Sequence, residues 1–293
     1  MITRRNVAVG VGAAVLAGLG PLSAVAAPSD DLSAEFQRLE AAIQGRLGVA
    51  VLDTATGSRF SQRGDERFPM CSTFKLLACG AVLARVDAGQ EDLDRRIKFE
   101  ASDLVTYSPV TKDRVGGEGM TLAEICKAGL TQSDNTAANL ILSSLGGPPA
   151  VTAFARSLGD SVTRLDRIET ALNEATPGDV RDTTTPDAMA ANLRALVVED
   201  RLTARSRDQL TQWLEANQTG AAKLRAGLPA DWRVGDKTGG GDYGSTNDVA
   251  VIWPPRRKPL IVAVYLTQTK ASFEDRNATI AGVGRAVEKA LGA

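Results

Sequence analysis

Trp232-Arg233-Val234-Gly235-Asp236-Lys237-Thr238-Gly239-Gly240-Gly241-Asp242-Tyr243-Gly244 reads as a β-strand that runs into a glycine-rich turn. Two more β-like runs follow, Asp248 to Trp253 and Leu260 to Thr267. The turn Pro254-Pro255-Arg256-Arg257-Lys258-Pro259 separates them, and an amphipathic helix over 275–291 closes the chain. The other end has a matching pattern. Leu32, Phe36, Leu39 and Ile43 fall on one helical face, and Leu47 to Leu52 reads as a buried strand. Asp53-Thr54-Ala55-Thr56-Gly57 turns the chain, and a return strand starts at Ser58. Between these ends the spacing is helical: 72–86, ending at Asp87-Ala88-Gly89, then 134–145 and 149–158, with further helices near Asp187 and Ala204. Thr121 and Glu124 form a capping-box signature. Periodicity lapses from Arg164 to Pro186, and so long an irregular stretch inside a compact domain is usually functional.

Pairing the terminal strands in one sheet gives an α/β plus all-α, two-lobed architecture. An antiparallel sheet flanked by helices is built from both chain ends, and an all-helical lobe is inserted between them. The expected boundaries are 27–65 and 214–293 for the α/β lobe and 66–213 for the helical lobe.

Composition narrows the function. The 293 residues are 43% hydrophobic and 24% charged, with a formal net charge of -1. That is an ordinary soluble balance, with no basic run interleaved with aromatics to bind nucleic acid. The chain contains no histidine, so a Ser-His-Asp triad is impossible and an activated serine needs another base.

Residues 1–26 read as a signal peptide. Thr3-Arg4-Arg5-Asn6 is a positive start, an apolar run extends from Val7 to Leu22, and Ala24-Val25-Ala26 is a small-residue cleavage site. The adjacent arginines point to the twin-arginine route, with the general route as the alternative. The expected location is periplasmic or extracellular, with no stable membrane partner after signal removal. An oxidising compartment permits disulfides. Among Cys71, Cys79 and Cys126, the expectation is a Cys79–Cys126 bond with Cys71 a buried free thiol; the alternative is three small core residues.

Four short motifs carry the chemistry. In Ser72-Thr73-Phe74-Lys75, serine and lysine three apart share a helical face, with the serine at a helix start. A serine hydroxyl is a weak nucleophile until a partner takes its proton, and a lysine can do so if burial or nearby cations destabilise its ammonium. Ser133-Asp134-Asn135 adds a hydroxyl that can pass a proton and an amide that can grip a substrate amide, with Asp134 bracing the loop. Lys237-Thr238-Gly239 offers carboxylate ligands beside glycines that let a ligand approach the strand closely. Glu169 and Asn173 lie in the irregular stretch. Each motif alone is weak; their joint occurrence in this order is not.

The combination resembles the class A serine β-lactamases of the penicillin-recognising enzyme family. The likeness extends through Tyr107-Ser108-Pro109-Val110, Ser133 to Asn139, Pro177 to Pro186, Tyr243 to Asp248 and Trp253-Pro254. The resemblance implies the serine β-lactamase/transpeptidase-like fold, a β-lactam substrate with water as co-substrate, no cofactor or metal, and a monomer. It implies Ser72 as the acylated nucleophile, Lys75 as base or proton relay, and Ser133 as proton donor to the lactam nitrogen. Glu169 would activate the deacylating water, held also by Asn173. Asn135 and Tyr107 would contact the substrate; Lys237, Thr238 and Gly239 would bind its carboxylate. The N–H groups of Ser72 and Gly240 would form the oxyanion hole. Arg167 and Asp182 would pin an Ω-loop over 164–182.

Departures are informative. Thr170 follows Glu169 where many members have proline, and a cis Glu169–Thr170 bond is expected nonetheless. Thr246 stands where some members place an arginine near the carboxylate, so Lys223 and Arg276 are expected to substitute. Gly241 replaces the cysteine that would pair with Cys71 in many carbapenem-hydrolysing members. Penicillins and cephalosporins are the expected substrates. The alternatives are a D-alanyl-D-alanine peptidase (a penicillin-binding protein), against which Glu169 with Asn173 argues, or a β-lactam sensor that acylates once, for which a membrane span or an output domain would be expected.

Overall fold

The computed structural model describes residues 28–291, so the signal-peptide expectation lies outside the described residues. Helix α1 (Pro28–Ile43) leads into β1 (Arg46–Asp53), β2 (Arg59–Gln62) and a short β3 (Phe68–Pro69). The helical region then runs from α2 (Phe74–Asp87) through β4 (Arg96–Ile97), β5 (Met120–Thr121), α3 (Leu122–Thr131), α4 (Asn135–Leu145) and α5 (Pro148–Ser157). It continues through β6 (Thr183–Thr184) to α6 (Pro186–Val197) and α7 (Ala204–Glu215). The chain closes with β7 (Arg233–Gly240), β8 (Thr246–Trp253), β9 (Leu260–Thr267) and α8 (Phe273–Leu291).

The main sheet has the order β2-β1-β9-β8-β7, antiparallel throughout. The chain ends therefore meet at its centre, where Val49 faces Val264 and Val51 faces Val262. β8 and β9 are buried along nearly their whole length because both faces are covered. On one face α1 and α8 enclose a core of Leu32, Phe36, Leu47, Val264, Ile280 and Val283. On the other, Ala50, Val249 and Tyr265 join the larger core of the helical region, centred on α2. Ten residues of α2 in succession, Phe74 to Leu83, are buried. A helix apolar all round belongs in the middle of a bundle.

Local signals set the element ends. Thr121 Oγ1 accepts from the Glu124 N–H at 3.2 Å and Glu124 Oε2 accepts from the Thr121 N–H at 2.8 Å, the reciprocal cap read in the sequence. α8 starts at Phe273, two residues before the expected start, because Ser272 Oγ accepts from the Asp275 N–H at 3.0 Å and so moves the cap upstream.

The cysteine expectation needs correction. Cys71, Cys79 and Cys126 are all buried free thiols. Cys79 and Cys126 are neighbours: Cys79 Sγ is 3.8 Å from the Cys126 carbonyl oxygen, and a hydrogen bond with Cys79 that favours the protonated thiol, together with burial, raises the Cys126 pKa. Both are fully buried in the core around α2 and serve as small apolar residues with weakly hydrogen-bonded thiols.

Candidate active site

The site forms where edge strand β7 meets the turn ahead of α2. Ser72 lies in a 3-10 turn, Cys71–Thr73, that precedes α2, and not in the first turn of the α-helix itself. The turn is held from several sides. The Asn247 amide donates to the Pro69 and Met70 carbonyls at 2.9 and 3.0 Å. Thr73 Oγ1 lies 2.8 Å from the Met70 carbonyl and 3.1 Å from the Tyr265 hydroxyl. The Met70 N–H donates to the Asp182 carbonyl at 2.9 Å, so the nucleophile turn is joined to the irregular segment. Cys71 has a φ of 45°, a left-handed conformation that a side chain tolerates only when its surroundings enforce it.

Alternation along β7 sorts its side chains. Lys237 points to the helical region, where its Nζ donates to Ser133 Oγ at 2.9 Å and to the Thr238 carbonyl at 2.8 Å. Thr238 points the other way, its hydroxyl 2.5 Å from that of Thr219. Gly239 is required by space: a Cβ there would lie 2.9 Å from the Met70 carbonyl oxygen and 3.3 Å from Cys71 Cβ. Gly241 is equally constrained: a Cβ there would lie 2.6 Å from the Asn173 carbonyl oxygen and 2.8 Å from Cys71 Sγ. Gly240, between them, ends β7 opposite Thr246 and is exposed at the sheet edge.

Lys75 is fully buried and is the hub. Its Nζ lies 2.9 Å from Ser72 Oγ, 2.8 Å from the Ser133 carbonyl, 2.7 Å from Asn135 Oδ1 and 3.0 Å from Glu169 Oε1. Glu169 Oε1 is 3.3 Å from Ser72 Oγ, and Glu169 Oε2 accepts from Asn173 Nδ2 at 2.6 Å. Two proton acceptors thus flank one hydroxyl. Burial lowers the pKa of the Lys75 ammonium, against the pull of Glu169, which makes its amine a better base. Burial, then the positive charge of Lys75, lowers Lys237 to about 7. The Cys71 thiol is pushed up by burial and by Glu169, so it is not a competing nucleophile despite its position.

The loop carrying Ser133 is braced by Asp134, as the sequence suggested. Asp134 Oδ2 accepts from the Val110 and Thr111 N–H groups, each at 2.9 Å, and Oδ1 accepts from the Ala137 N–H at 2.8 Å. Ser133 itself has a φ of 58°. Asn135 Nδ2 donates to the Thr106 carbonyl at 2.9 Å, and the exposed ring of Tyr107 stands at that rim.

The irregular segment keeps only a 3-10 turn at Ala171–Asn173 and the short β6. Arg167 Nε donates to Asp182 Oδ2 at 2.6 Å, and the Asp166 and Arg167 N–H groups donate to Asp182 Oδ1. The Glu169–Thr170 bond is cis, as expected. Asn139 was not singled out from the sequence. Its side chain grips the Glu169 backbone twice, accepting from the N–H and donating to the carbonyl, each at 2.9 Å. Its place four residues after Asn135 on a helix was the available signal.

Lys223 and Arg276 share the ring of Phe273 and make no hydrogen bond to the Lys75 cluster among the described residues. Lys223 is 4% exposed, its ammonium 5.1 Å from the centroid of Phe273, while the Arg276 guanidinium is 5.6 Å from that ring. Burial, with Arg276 adding, lowers the pKa of Lys223, and Asp248 and Asp236 oppose it.

A serine flanked by a buried lysine and a buried glutamate, facing a lysine on an edge strand, is the constellation the motifs suggested. The β-lactamase enzyme family model matches residues 31–291. The chain belongs to this family, as a class A serine β-lactamase. β-Lactamase AST-1 of Nocardia asteroides is 54% identical over 92% of this chain and 85% of its own length. β-Lactamase OXY-2 of Klebsiella oxytoca is 49% identical over 95% and 97%. A solved ancestral (GNCA) class A β-lactamase superposes with a TM-score of 0.88 at 64% identity, covering 89% of this chain and all of that one. The two-lobed fold of class A β-lactamases read from the sequence is thus the observed one.

Proposed function

We propose that this protein hydrolyses β-lactams, penicillins and cephalosporins, through an acyl-enzyme on Ser72. Ser72 Oγ attacks the lactam carbonyl as its proton passes to Lys75 or Glu169, both within reach. The developing oxyanion is stabilised by the N–H groups of Ser72 and Gly240. Ser133 Oγ, held by Lys237 at 2.9 Å, gives a proton to the lactam nitrogen as the C–N bond breaks, and draws its replacement through the lysines. Lys237 and Thr238 hold the substrate carboxylate, and Asn135 with Tyr107 contacts its side chain. Glu169 then takes a proton from water, which attacks the ester carbonyl and releases Ser72. Asn173 Oδ1, buried without a protein partner among the described residues, offers that water an acceptor. Arg167 and Asp182 keep the segment folded so that Glu169 points inward.

The observation that carries this reading is the Glu169 carboxylate 3.3 Å from Ser72 Oγ, gripped by Lys75, Asn173 and, through its backbone, Asn139. A base at this place lets water break the drug adduct that a penicillin-binding protein or a sensor would keep. Steady-state absorbance assays test it: the protein should open hundreds of equivalents of benzylpenicillin. A stoichiometric burst with no turnover would favour the alternatives.

Two further results are expected. Lys237 is charged below about 7 and loses its proton above that. Its contribution to carboxylate binding is therefore present at lower pH and lost as pH rises, so KM should climb through the neutral range. Lys237→Arg, which stays charged, should flatten that rise in a pH series. Lys223→Ala should raise KM about tenfold with little change in kcat, the cost of one charged hydrogen bond to a carboxylate. Unchanged steady-state constants would remove Lys223 from the site.

Export by the twin-arginine route is the further part of this proposal, supported by Arg4-Arg5 and the apolar run that follows. Fractionation of expressing cells checks it, and an Arg4→Lys, Arg5→Lys variant should stay cytoplasmic.

A further inference from the structure

Phe273 is more than half exposed, although it opens a helix whose other large apolar residues are buried. An exposed phenylalanine alone needs no explanation. Here, however, two cations share its ring: the Lys223 ammonium at 5.1 Å and the Arg276 guanidinium at 5.6 Å from the centroid. Arg276 is tied down by its Nε, 3.3 Å from the Ser272 carbonyl. Lys223 Nζ has no hydrogen bond or carboxylate within salt-bridge distance among the described residues, although the residue is nearly fully buried. Its Nζ is not one of the fully buried, unpartnered polar atoms, so a buried stem carries an ammonium that still meets solvent, and the negative face of the Phe273 ring is the group that steadies it.

The location gives this meaning. Lys223 and Thr219 belong to one loop: the Lys223 N–H donates to the Gly220 carbonyl at 3.0 Å, and Thr219 touches Thr238. Lys223 thus stands beside the end of β7 assigned above to the substrate carboxylate. Asp236 cannot hold the ammonium elsewhere, because its oxygens are taken by Arg225 at 2.6 Å and Asn217 at 2.6 Å. Asp248, buried beside it, is pushed well towards its neutral form by burial and by Asp236.

We propose that Phe273 is a positioning residue for carboxylate recognition: its ring holds the Lys223 ammonium free of competing anions and aimed at the substrate carboxylate. The inference rests on Lys223 acting in carboxylate binding. Arg276 shares the ring, its guanidinium 5.6 Å from the centroid.

The test is a set of steady-state constants for benzylpenicillin with Phe273→Leu, Phe273→Tyr, Lys223→Ala and the Phe273→Leu, Lys223→Ala pair. Leucine keeps an apolar side chain and good helix propensity but removes the π face. Phe273→Leu should raise KM about fivefold at unchanged kcat, the range of a partly desolvated cation–π contact, and Phe273→Tyr should restore the wild-type KM. In the Lys223→Ala background the leucine substitution should have no further effect. A wild-type KM in Phe273→Leu, with Lys223→Ala impaired, overturns the role of Phe273 alone. An equal rise in both backgrounds shows that Phe273 acts on packing and not through Lys223. A wild-type KM in Lys223→Ala removes the carboxylate reading and the proposal with it.

Discussion

Glu169→Gln is expected to acylate and then stall. The substitution keeps the shape of the side chain and its contact with Asn173, but removes the base that faces Ser72 from 3.3 Å. Losing a positioned general base costs roughly 10²- to 10⁴-fold in the step it serves. Deacylation should therefore fall at least about a thousandfold, since water has no other buried base at this point. Acylation should fall less, because Lys75 remains 2.9 Å from the nucleophile. Stopped-flow absorbance would show a burst of one equivalent followed by a near-flat phase. A variant with equal losses in both steps would mean that Glu169 is the only base. Steady turnover near the wild-type rate would mean that it is not a base at all.

Asp134→Ala should be the most destabilising single change in the site. Asp134 is fully buried and caps α4, accepting from Ala137, Val110 and Thr111 through backbone N–H groups and from the Thr111 hydroxyl at 2.9 Å. Alanine would strand several buried donors at once. A lost cap costs about 1 kcal/mol and each stranded donor about 1–3 kcal/mol. A total of about 4 kcal/mol corresponds to a fall in melting temperature of roughly 10 °C for a domain of this size. Activity should drop as well, because Ser133 keeps its left-handed backbone only while the loop is braced. Calorimetry of the purified variant measures the effect, and a melting temperature within 2–3 °C of wild type, a shift of about 1 kcal/mol, would contradict the role given to Asp134.

The sequence disclosed the site better than its supports. Ser72 and Lys75 are three residues apart on one turn, and Lys237, Thr238 and Gly239 are consecutive on one strand, so local periodicity was enough to read their relation. That the strands of both chain ends share one sheet was legible for a different reason: Leu47 to Leu52 and Leu260 to Thr267 are apolar runs that need cover on two faces, although which strand pairs with which was not. What escaped notice depends on contacts far apart in sequence. Asn247 reaches Pro69 across 178 positions, and Asn139 reaches Glu169 across 30. Asparagines of this kind look like any others until the backbone groups they satisfy are known. The two-residue pairings of β3 with β6 and β4 with β5 are too short to leave a period. The cysteines misled for the opposite reason. Cys79 and Cys126 are indeed neighbours, but proximity in the core does not oblige two thiols to bond.

The central claim is that Ser72 carries a covalent acyl group that Glu169 removes. Intact-protein mass after mixing with benzylpenicillin, followed by peptide mapping of the trapped species, tests it most directly. The account predicts a single adduct on the peptide containing Ser72 that persists in Glu169→Gln, and a wild-type protein that returns to its free mass within the mixing time. An adduct on another residue, or a wild-type protein that stays acylated, would contradict it.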